Sequence, residues 1–417
     1  MCDYALPRSR EPAQRGLAPC VPGRRLIGLL AVDDLLAIAS AALGVAVADP
    51  VDLGGSERSA VLRCRPVSGG TVILKSYPLT ADGAESFVAE AAGLAFTSAA
   101  GVGPQLLAAD VAEQLIVMSD LGDAPSLADL LLGESAAMAA SALLGWALAC
   151  GQLAVRTADE QPELSRLRAT FAGSRARADA DPAADRTTGS DAGAAGSDTG
   201  TAGGHWLARQ IQSVPDLLGA LSLTEPAGLG AELDAVAAIV VPDSYQVFSP
   251  GDICPDNNLL TTAGIRFIDY ESAEFHSAFL DAAYLRMPFS SCWCVFRLPA
   301  ELHAATEAAY RAQVCRVFPE LADDEIWQPG VRLATAAWTL HALTYLLEPS
   351  MIADRPMHDH RTPAPTARQL LRYRWQRLRD ELGPAGELPA ITALMSSLLD
   401  VTRSWHTPDL PPYPSFR

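Results

Sequence analysis

Short apolar runs separated by glycine-rich turns mark the first part of the chain, and apolar residues at helical spacing dominate the rest. Three β-type runs, "VAVADPVDL", "AVLRCRP" and "TVILKSY", are separated by turns at residues 54–56 and 68–70, which predicts an antiparallel meander. A helical pattern follows in "GAESFVAEAAGLAFTSAA", and two more strands are expected around "PQLLAADVA" and "QLIVMSDLG". Beyond Ser126 the pattern is mainly helical, so the sequence predicts an α+β fold with a small antiparallel sheet ahead of a larger helical region.

The apolar run from Leu26 to Ala48 is long enough to be examined as a membrane span. Asp33 and Asp34 lie inside it, and charges at the centre of a span are costly. One of these aspartates is instead expected to cap a helix, "LLAIASAALG", that ends at Gly44. The Arg24-Arg25 pair stands before only about seven apolar residues, which makes a poor signal peptide. We therefore expect a cytoplasmic protein with no membrane partner.

Two segments lack the pattern of a folded element. Residues 1–25 are rich in Arg and Pro and are expected to be a disordered tail. Residues 172–204, "AGSRARADADPAADRTTGSDAGAAGSDTGTAGG", contain no bulky apolar residue, so burial cannot repay the entropy of ordering them. The sequence predicts a flexible insertion here, joining two helices.

Composition narrows the class of partner. The 417 residues have a net charge of −18, which argues against nucleic acid, because binding to a phosphate backbone relies on Lys and Arg clusters. The same charge would mildly favour a cationic small substrate, or it reflects solubility alone. The oligomeric state stays open.

The eight cysteines are spread thinly, unlike those of a small disulfide scaffold. Cys292-Trp-Cys294 and Cys315 are interpreted as buried structural thiols rather than a metal site, because the spacing is not that of a zinc knuckle. The sequence His358-Asp359-His360 is likewise expected to be a solvated loop.

Candidate chemistry is concentrated in "FSPGDICPDNNLLTTAGIRFIDYESAEF", residues 248–275. Asp252 stands five positions before Asn257, and Asp269 closes the next apolar run. Hairpin turns alone could account for these residue types. Upstream, however, Lys75 lies on the third predicted strand and Glu90 on the helix that follows. Glu85 is a rival on the same helix, but Glu90 has more apolar neighbours.

In this order the residues resemble the protein-kinase-like fold and, within it, the aminoglycoside phosphotransferase and choline kinase family. The resemblance covers roughly residues 45–345 outside the insertion. It implies a nucleotide-binding N-lobe over residues 26–121 and a larger C-lobe over residues 122–417 that carries the catalytic loop and the substrate pocket. It also implies ATP and Mg²⁺ as cofactors and a small hydroxylated molecule as the phosphate acceptor.

Phosphoryl transfer consists mostly of positioning and charge neutralisation, and the resemblance distributes these tasks. It implies that Asp252 is the catalytic base, that Asn257 and Asp269 hold Mg²⁺, and that Lys75, oriented by Glu90, holds the α- and β-phosphates. Further nucleotide contacts are expected from a reduced glycine loop and from the hinge between the lobes, at Gly54, Gly55, Ser56, Met118, Ser119 and Asp120. A plain β-turn would explain residues 54–56 equally well.

The resemblance also implies that Asp281 braces the catalytic loop. It places the substrate pocket near Trp293, Trp338, His341 and Tyr345, although aromatic residues of this kind are more often part of the core.

The sequence departs from the family pattern at Pro250, where the family usually has a histidine two residues before the base. Asp256 and Asn258 also flank Asn257, so the register is fixed only by counting from Asp252. The leading interpretation is an ATP-dependent small-molecule kinase acting on an antibiotic, as in antibiotic resistance, or on a metabolite. The alternative is a catalytically weak pseudokinase that binds a nucleotide or a partner.

Overall fold

The structure is a computed structural model that describes residues 30–56, 59–178, 202–240, 242–287, 289, 292–358 and 363–417. The predicted tail at residues 1–25 and most of the predicted insertion lie outside these residues. The two described ends of the insertion are helical, because one helix reaches Ala178 and the next begins at Ala202. The predicted boundaries of 172–204 were therefore too wide, since alanine and arginine are good helix formers and extend the first helix.

The N-lobe is an antiparallel sheet with two helices, one before the first strand and one after the third strand. Its elements are α1 (Val32–Leu43), β1 (Val47–Ser56), β2 (Ser59–Pro66), β3 (Val72–Ser76), α2 (Ala81–Thr97), β4 (Leu106–Asp110) and β5 (Leu115–Ser119). The five strands run in the order β1-β2-β3-β5-β4, and every pair is antiparallel. The predicted meander of the first three strands is confirmed.

Helix α1 covers one face of this sheet, where Leu35 packs with Leu62 and Leu74 in a small separate core. Gly44 ends the helix in the left-handed conformation, as predicted. The predicted aspartate cap was wrong. Asp33 and Asp34 lie in the first turn, and the cap position, Ala31, makes no side-chain hydrogen bond. Acidic residues in the first turn still stabilise the helix through its dipole.

The C-lobe is mainly helical, with two short hairpin-like strand pairs in its middle. Its elements are α3 (Leu127–Leu131), α4 (Ala136–Arg156), α5 (Gln161–Ala178), α6 (Ala202–Gln212), α7 (Val214–Ala220), α8 (Leu229–Ala238), β6 (Gln246–Ser249), β7 (Asn258–Thr261), β8 (Gly264–Phe267), β9 (Glu274–Ser277), α9 (Ala278–Arg286), α10 (Ala300–Val314), α11 (Asp324–Ile352), α12 (Ala367–Ala385) and α13 (Pro389–Val401). Strand β6 pairs with β9, and β7 with β8, both antiparallel. The predicted α+β fold, with a small sheet lobe and a larger helical lobe, is confirmed.

Helix α4 is long and apolar enough to cross a membrane by length and composition alone. Half of its apolar window is buried inside the protein, and Leu143, Trp146 and Leu153 are among the least exposed residues of the main core. It is therefore a buried core helix, around which the C-lobe packs.

Candidate active site

A cleft of about 380 Å³ lies between the N-lobe sheet and the β7–β8 hairpin. Seven of the residues predicted from the sequence to bind nucleotide or metal line it: Gly55, Lys75, Met118, Ser119, Asp120, Asn257 and Asp269. Gly54 and Asp252 are not among the lining residues that the structure describes, and Ser56 is placed only as a strand residue paired with Ser59. Gly54 has a positive φ of 94° and donates its backbone N–H to Asp52 Oδ1, at a point inside β1 where the strand register shifts.

At the base of the cleft, Lys75 joins three separate segments of the chain. Its Nζ lies 2.9 Å from Oε2 of Glu90 on α2 and 2.8 Å from Oδ1 of Asp269, which follows β8. Glu90 is completely buried, whereas Glu85 on the same helix is exposed. The structure therefore pairs Lys75 with Glu90 and not with its rival.

The charges of Lys75, Glu90 and Asp269 act strongly on one another. Burial disfavours the Lys75 ammonium, but the carboxylates of Asp269 and Glu90 outweigh it and raise the pKa of Lys75. Burial raises the pKa of Glu90 to about 7, although Lys75 opposes the shift. Burial also acts against ionisation of Asp269, yet the Lys75 ammonium lowers the pKa of that carboxyl below its ordinary value. At neutral pH the arrangement thus favours a charged Lys75 and a charged Asp269 facing the cleft.

Helix α2 is held against the C-lobe at the same point. Glu90 Oε2 accepts a hydrogen bond from the backbone N–H of Tyr270 at 2.8 Å and one from the hydroxyl of Tyr77 at 3.3 Å. One turn further on, Gly93 allows the helix to approach, because a Cβ there would lie 2.9 Å from Cβ of Tyr270. Glu90 therefore contacts both lobes.

The loop that carries Asp252 depends on the glycine before it. Gly251 has a φ of 88°, and a Cβ at this position would lie 2.2 Å from the carbonyl oxygen of Ser272. A side chain is excluded here for both reasons. Asp252 itself is half-buried and accepts a hydrogen bond from the Cys254 N–H at 3.3 Å. Burial, reinforced by the charges of Asp269 and Asp256, raises its pKa, a shift suited to a proton acceptor.

The two neighbouring asparagines have different surroundings. Asn257 lines the cleft, and its Nδ2 donates to the carbonyl oxygen of Asp252 at 3.1 Å. Its backbone carbonyl accepts from the Ile268 N–H at 3.0 Å, so Asn257 lies beside Asp269. Asn258 is fully buried and donates to the carbonyl of Ile253 within the loop. Asn257 is therefore the asparagine available to a cleft ligand, in agreement with the count from Asp252.

The strand that leads into the loop is braced without the missing histidine at position 250. Asp281 Oδ1 accepts a hydrogen bond from Ser249 Oγ at 3.2 Å and lies 2.8 Å from Nε2 of His276. His276 is on β9, the partner strand of β6. Burial disfavours its charged form, but Asp281 outweighs burial and raises the pKa of His276. Asp281 thus contacts an imidazole from the neighbouring strand, His276, because a proline at position 250 supplies no imidazole.

Sequence analysis missed Arg63, a cleft residue on β2. Its guanidinium contacts the Asp120 carboxylate at 2.8 Å and Asp123 at 2.6 Å, so the side chain of Asp120 holds the hinge to the sheet. Burial acts against the Asp120 carboxylate, but its hydrogen bonds, from Thr71, the Gly122 N–H and Arg63, lower its pKa. The alternation of side chains along a strand predicts the face of the sheet on which Arg63 lies, but no local sequence pattern predicts its partners.

The aromatic residues proposed for a substrate pocket lie in packed surroundings. The Trp338 side chain is 8% exposed, and its Nε1 donates to the carbonyl of Leu280. His341 packs between Trp206 and Tyr345, with ring centroids 4.9 Å apart in both pairs, and burial lowers its pKa to about 4. Trp293 belongs elsewhere, since its Nε1 donates to Asp256 Oδ2 at 2.9 Å.

No protein-family model matches this sequence, and no curated protein sequence matches it. Solved structures do show likeness. The choline kinase from Cryptosporidium parvum is 14% identical, with a TM-score of 0.46 over 84% of this chain and 93% of that one. The macrolide 2'-phosphotransferase from Brachybacterium faecium is 17% identical, with a TM-score of 0.45 over 76% of this chain and 94% of that one.

A thermostable mutant of an aminoglycoside phosphotransferase is 16% identical, with a TM-score of 0.44 over 84% of this chain and 99% of that one. These include the kinds of enzyme to which the sequence was predicted to be similar. Likeness at this level says nothing of what the chain acts on, so its function is inferred from its own side chains.

Proposed function

We propose that the protein is an ATP-dependent phosphotransferase that moves the γ-phosphate to a hydroxyl group of a small molecule. The observation that carries the proposal is the convergence in one cleft of a buried ammonium, Lys75, with a carboxylate and an amide, Asp269 and Asn257. Transfer of a phosphoryl group needs positive charge on the phosphates and hard oxygen ligands for a metal ion. We also propose that it acts in the cytoplasm, where ATP is abundant.

The residues present fit a magnesium ion. Mg²⁺ in nucleotide sites is bound through one or two protein oxygens, with phosphates and water supplying the rest. Hydrogen bonding of Asn257 Nδ2 to the loop carbonyl turns the amide oxygen toward other partners, and Asp269 is kept ionised by Lys75. When bound, the ion would supply charge neutralisation on the phosphates.

Asp252 has the role of proton acceptor for the substrate hydroxyl in this proposal. Its raised pKa, half-buried position and short connection to Asn257 suit a group that faces the acceptor rather than the nucleotide. The net charge of −18 would favour a substrate that carries positive charge, such as an amino-substituted antibiotic or an amino alcohol.

The test has two parts. Calorimetry should show ATP binding that is weakened strongly by EDTA, and equal affinity with and without Mg²⁺ would contradict the metal assignment. ATP consumption should then be measured with a panel of hydroxylated antibiotics and metabolites. Mg²⁺-dependent ATP binding without phosphate transfer to any of them would favour the pseudokinase alternative.

A further inference from the structure

Three thiols and a carboxylate converge directly behind the catalytic loop. Cys254 and Asp256 lie within that loop, and Cys292 and Cys294 lie beyond the end of α9. The Sγ atoms of Cys254 and Cys292 and a carboxylate oxygen of Asp256 are all within 4.8 Å of one another. Cys294 Sγ lies 3.1 Å from Cys292 Sγ. Among the described residues, neither Cys294 nor Cys315 belongs to this group of three, but Cys294 adjoins it through Cys292.

The spacing and the donor atoms suit a tetrahedral site for a thiophilic cation. Zn²⁺ binds cysteine sulfur at about 2.3 Å and carboxylate oxygen at about 2.1 Å, so ligand sulfurs around it are ~3.8 Å apart. The ligand atoms of Cys254, Cys292 and Asp256 lie at most 4.8 Å from one another, which leaves room for that separation, and Cys294 Sγ adjoins them 3.1 Å from Cys292 Sγ. All three thiols are at least 95% buried, as in structural sites that have no open position for substrate.

Contacts around the group orient the ligand atoms. Trp293 Nε1 donates a hydrogen bond to Oδ2 of Asp256 at 2.9 Å, while Oδ1 of Asp256 lies 3.9 Å from Cys292 Sγ. The Cys294 backbone N–H points at the Cys292 sulfur at 3.4 Å. Hydrogen bonds of this kind to ligating carboxylates and sulfurs fix their orientation around a metal ion.

An independent observation is a buried arginine with too few partners. Arg374 is 0% exposed, and among the described residues its Nη2 donates to the Phe289 carbonyl at 3.5 Å while its Nε and Nη1 find no hydrogen-bond partner. A guanidinium buried without a counter-charge is strongly unfavourable. The same Phe289 carbonyl accepts the backbone N–H of Cys292 at 2.9 Å, so Arg374 lies beside the thiols. Three thiolates and a carboxylate around a divalent ion would leave a net negative charge there, which is the counter-charge that Arg374 lacks.

We propose that Cys254, Cys292, Cys294 and Asp256 bind one Zn²⁺ ion, at a site separate from the magnesium ligands of the cleft. Binding displaces the thiol protons to solvent. Since two ligands lie between Asp252 and Asn257, the ion fixes the catalytic loop to the chain beyond α9. Asp256 also lines the cleft, which provides a route for the ion.

The test uses the full-length protein purified under reducing conditions without chelator. Elemental analysis should find one equivalent of zinc per chain. Replacement by Co²⁺ should give a thiolate-to-cobalt charge-transfer absorption and intense visible bands from a tetrahedral site. Cys254→Ser and Cys292→Ser should each weaken zinc binding at least about 100-fold in a chelator competition. Cys315→Ser, in the same lobe but outside the group, should leave it unchanged.

Several results would overturn the proposal. One is the absence of a charge-transfer band from the unaltered protein after addition of Co²⁺; this measurement remains decisive if the cysteine variants fail to fold. Another is a disulfide among the three thiols, detected by mass spectrometry without reduction. A third is loss of the bound zinc in Asp269→Asn but not in Cys254→Ser, which would place the ion in the cleft. None of these readouts depends on phosphotransferase activity, so the proposed function and the zinc site can fail separately.

Discussion

The two sides of the cleft are held in different ways. On the nucleotide side, Lys75, Glu90 and Asp269 form ion pairs between side chains from three segments. On the acceptor side, Asp252 and Asn257 are held mainly by contacts between side chains and the loop backbone. Ion pairs in a buried site fix charge and position together. The difference fits the proposed roles, in which one side holds phosphates and the other accepts a hydroxyl proton.

The largest effect should come from replacing one carboxylate by an amide on each side of the cleft. Asp252→Asn should lower kcat by about 10²–10⁴-fold and spare ATP affinity, because general-base catalysis contributes that much and the carboxylate does not face the nucleotide. Asp269→Asn should weaken Mg·ATP binding as well, since Asp269 pairs with Lys75 and is the proposed ligand of the metal. Steady-state kinetics and nucleotide titration of both variants separate the two. Near-normal turnover of Asp252→Asn would remove it as the base.

The next effect concerns the buried ion pair. Glu90→Ala leaves Lys75 with one partner fewer in a fully buried site, and breaking such a pair costs about 3–5 kcal/mol of unfolding free energy. Glu85→Ala, on the exposed side of the same helix, should change stability by less than about 0.5 kcal/mol. Denaturant unfolding measures both. Equal losses in the two variants would mean that helix propensity, not the ion pair, is being measured.

A smaller effect is expected at the turn before Asp252. Gly251→Ala introduces both a strained φ and a contact with the Ser272 carbonyl. Gly228→Ala is a matched control, because Gly228 has a similar φ of 85° but nothing within 4 Å of an added Cβ. The control should lose about 1–2 kcal/mol from backbone strain, and Gly251→Ala should lose more, together with activity. Equal melting temperatures for the two variants would show that the Ser272 contact relaxes at no cost.

The smallest effect is a pH dependence at the brace. Because the pKa of folded His276 is raised above 6.5, its pair with Asp281 stabilises the fold fully below the unfolded pKa. That stabilisation is lost as the pH rises through the folded value. His276→Gln should therefore lower the melting temperature more at about pH 5.5 than at about pH 9. An equal decrease at both values would indicate a packing role without charge.

The two sides also differ in how far the sequence determines them. Asp252, Asn257 and Asp269 lie on one strand-turn-strand unit, so their spacing alone predicts that they lie close together. The amphipathic pattern of α2 favours Glu90 over Glu85. Their chemical roles remain predictions. The partners of Arg63 and the contact between His276 and Asp281 could not be predicted, because each joins elements whose packing depends on the whole fold. The same holds for Cys254 and Cys292, whose sulfurs meet only because the chain returns past the loop after α9.

Glu90 has a consequence for motion in the molecule. Glu90 Oε2 is hydrogen-bonded both to Lys75 of the sheet and to the Tyr270 backbone N–H of the C-lobe. At Gly93 the helix packs so closely against Tyr270 that it has no space to slide. Rotation of α2 away from the cleft would break these two hydrogen bonds and the one from the Tyr77 hydroxyl, and would leave a buried carboxylate without a partner. Opening for nucleotide exchange is therefore expected to move β1 and β2, at one side of the sheet, while α2 stays with the C-lobe. In the proposed kinase, α2 would then keep one position with and without a nucleotide.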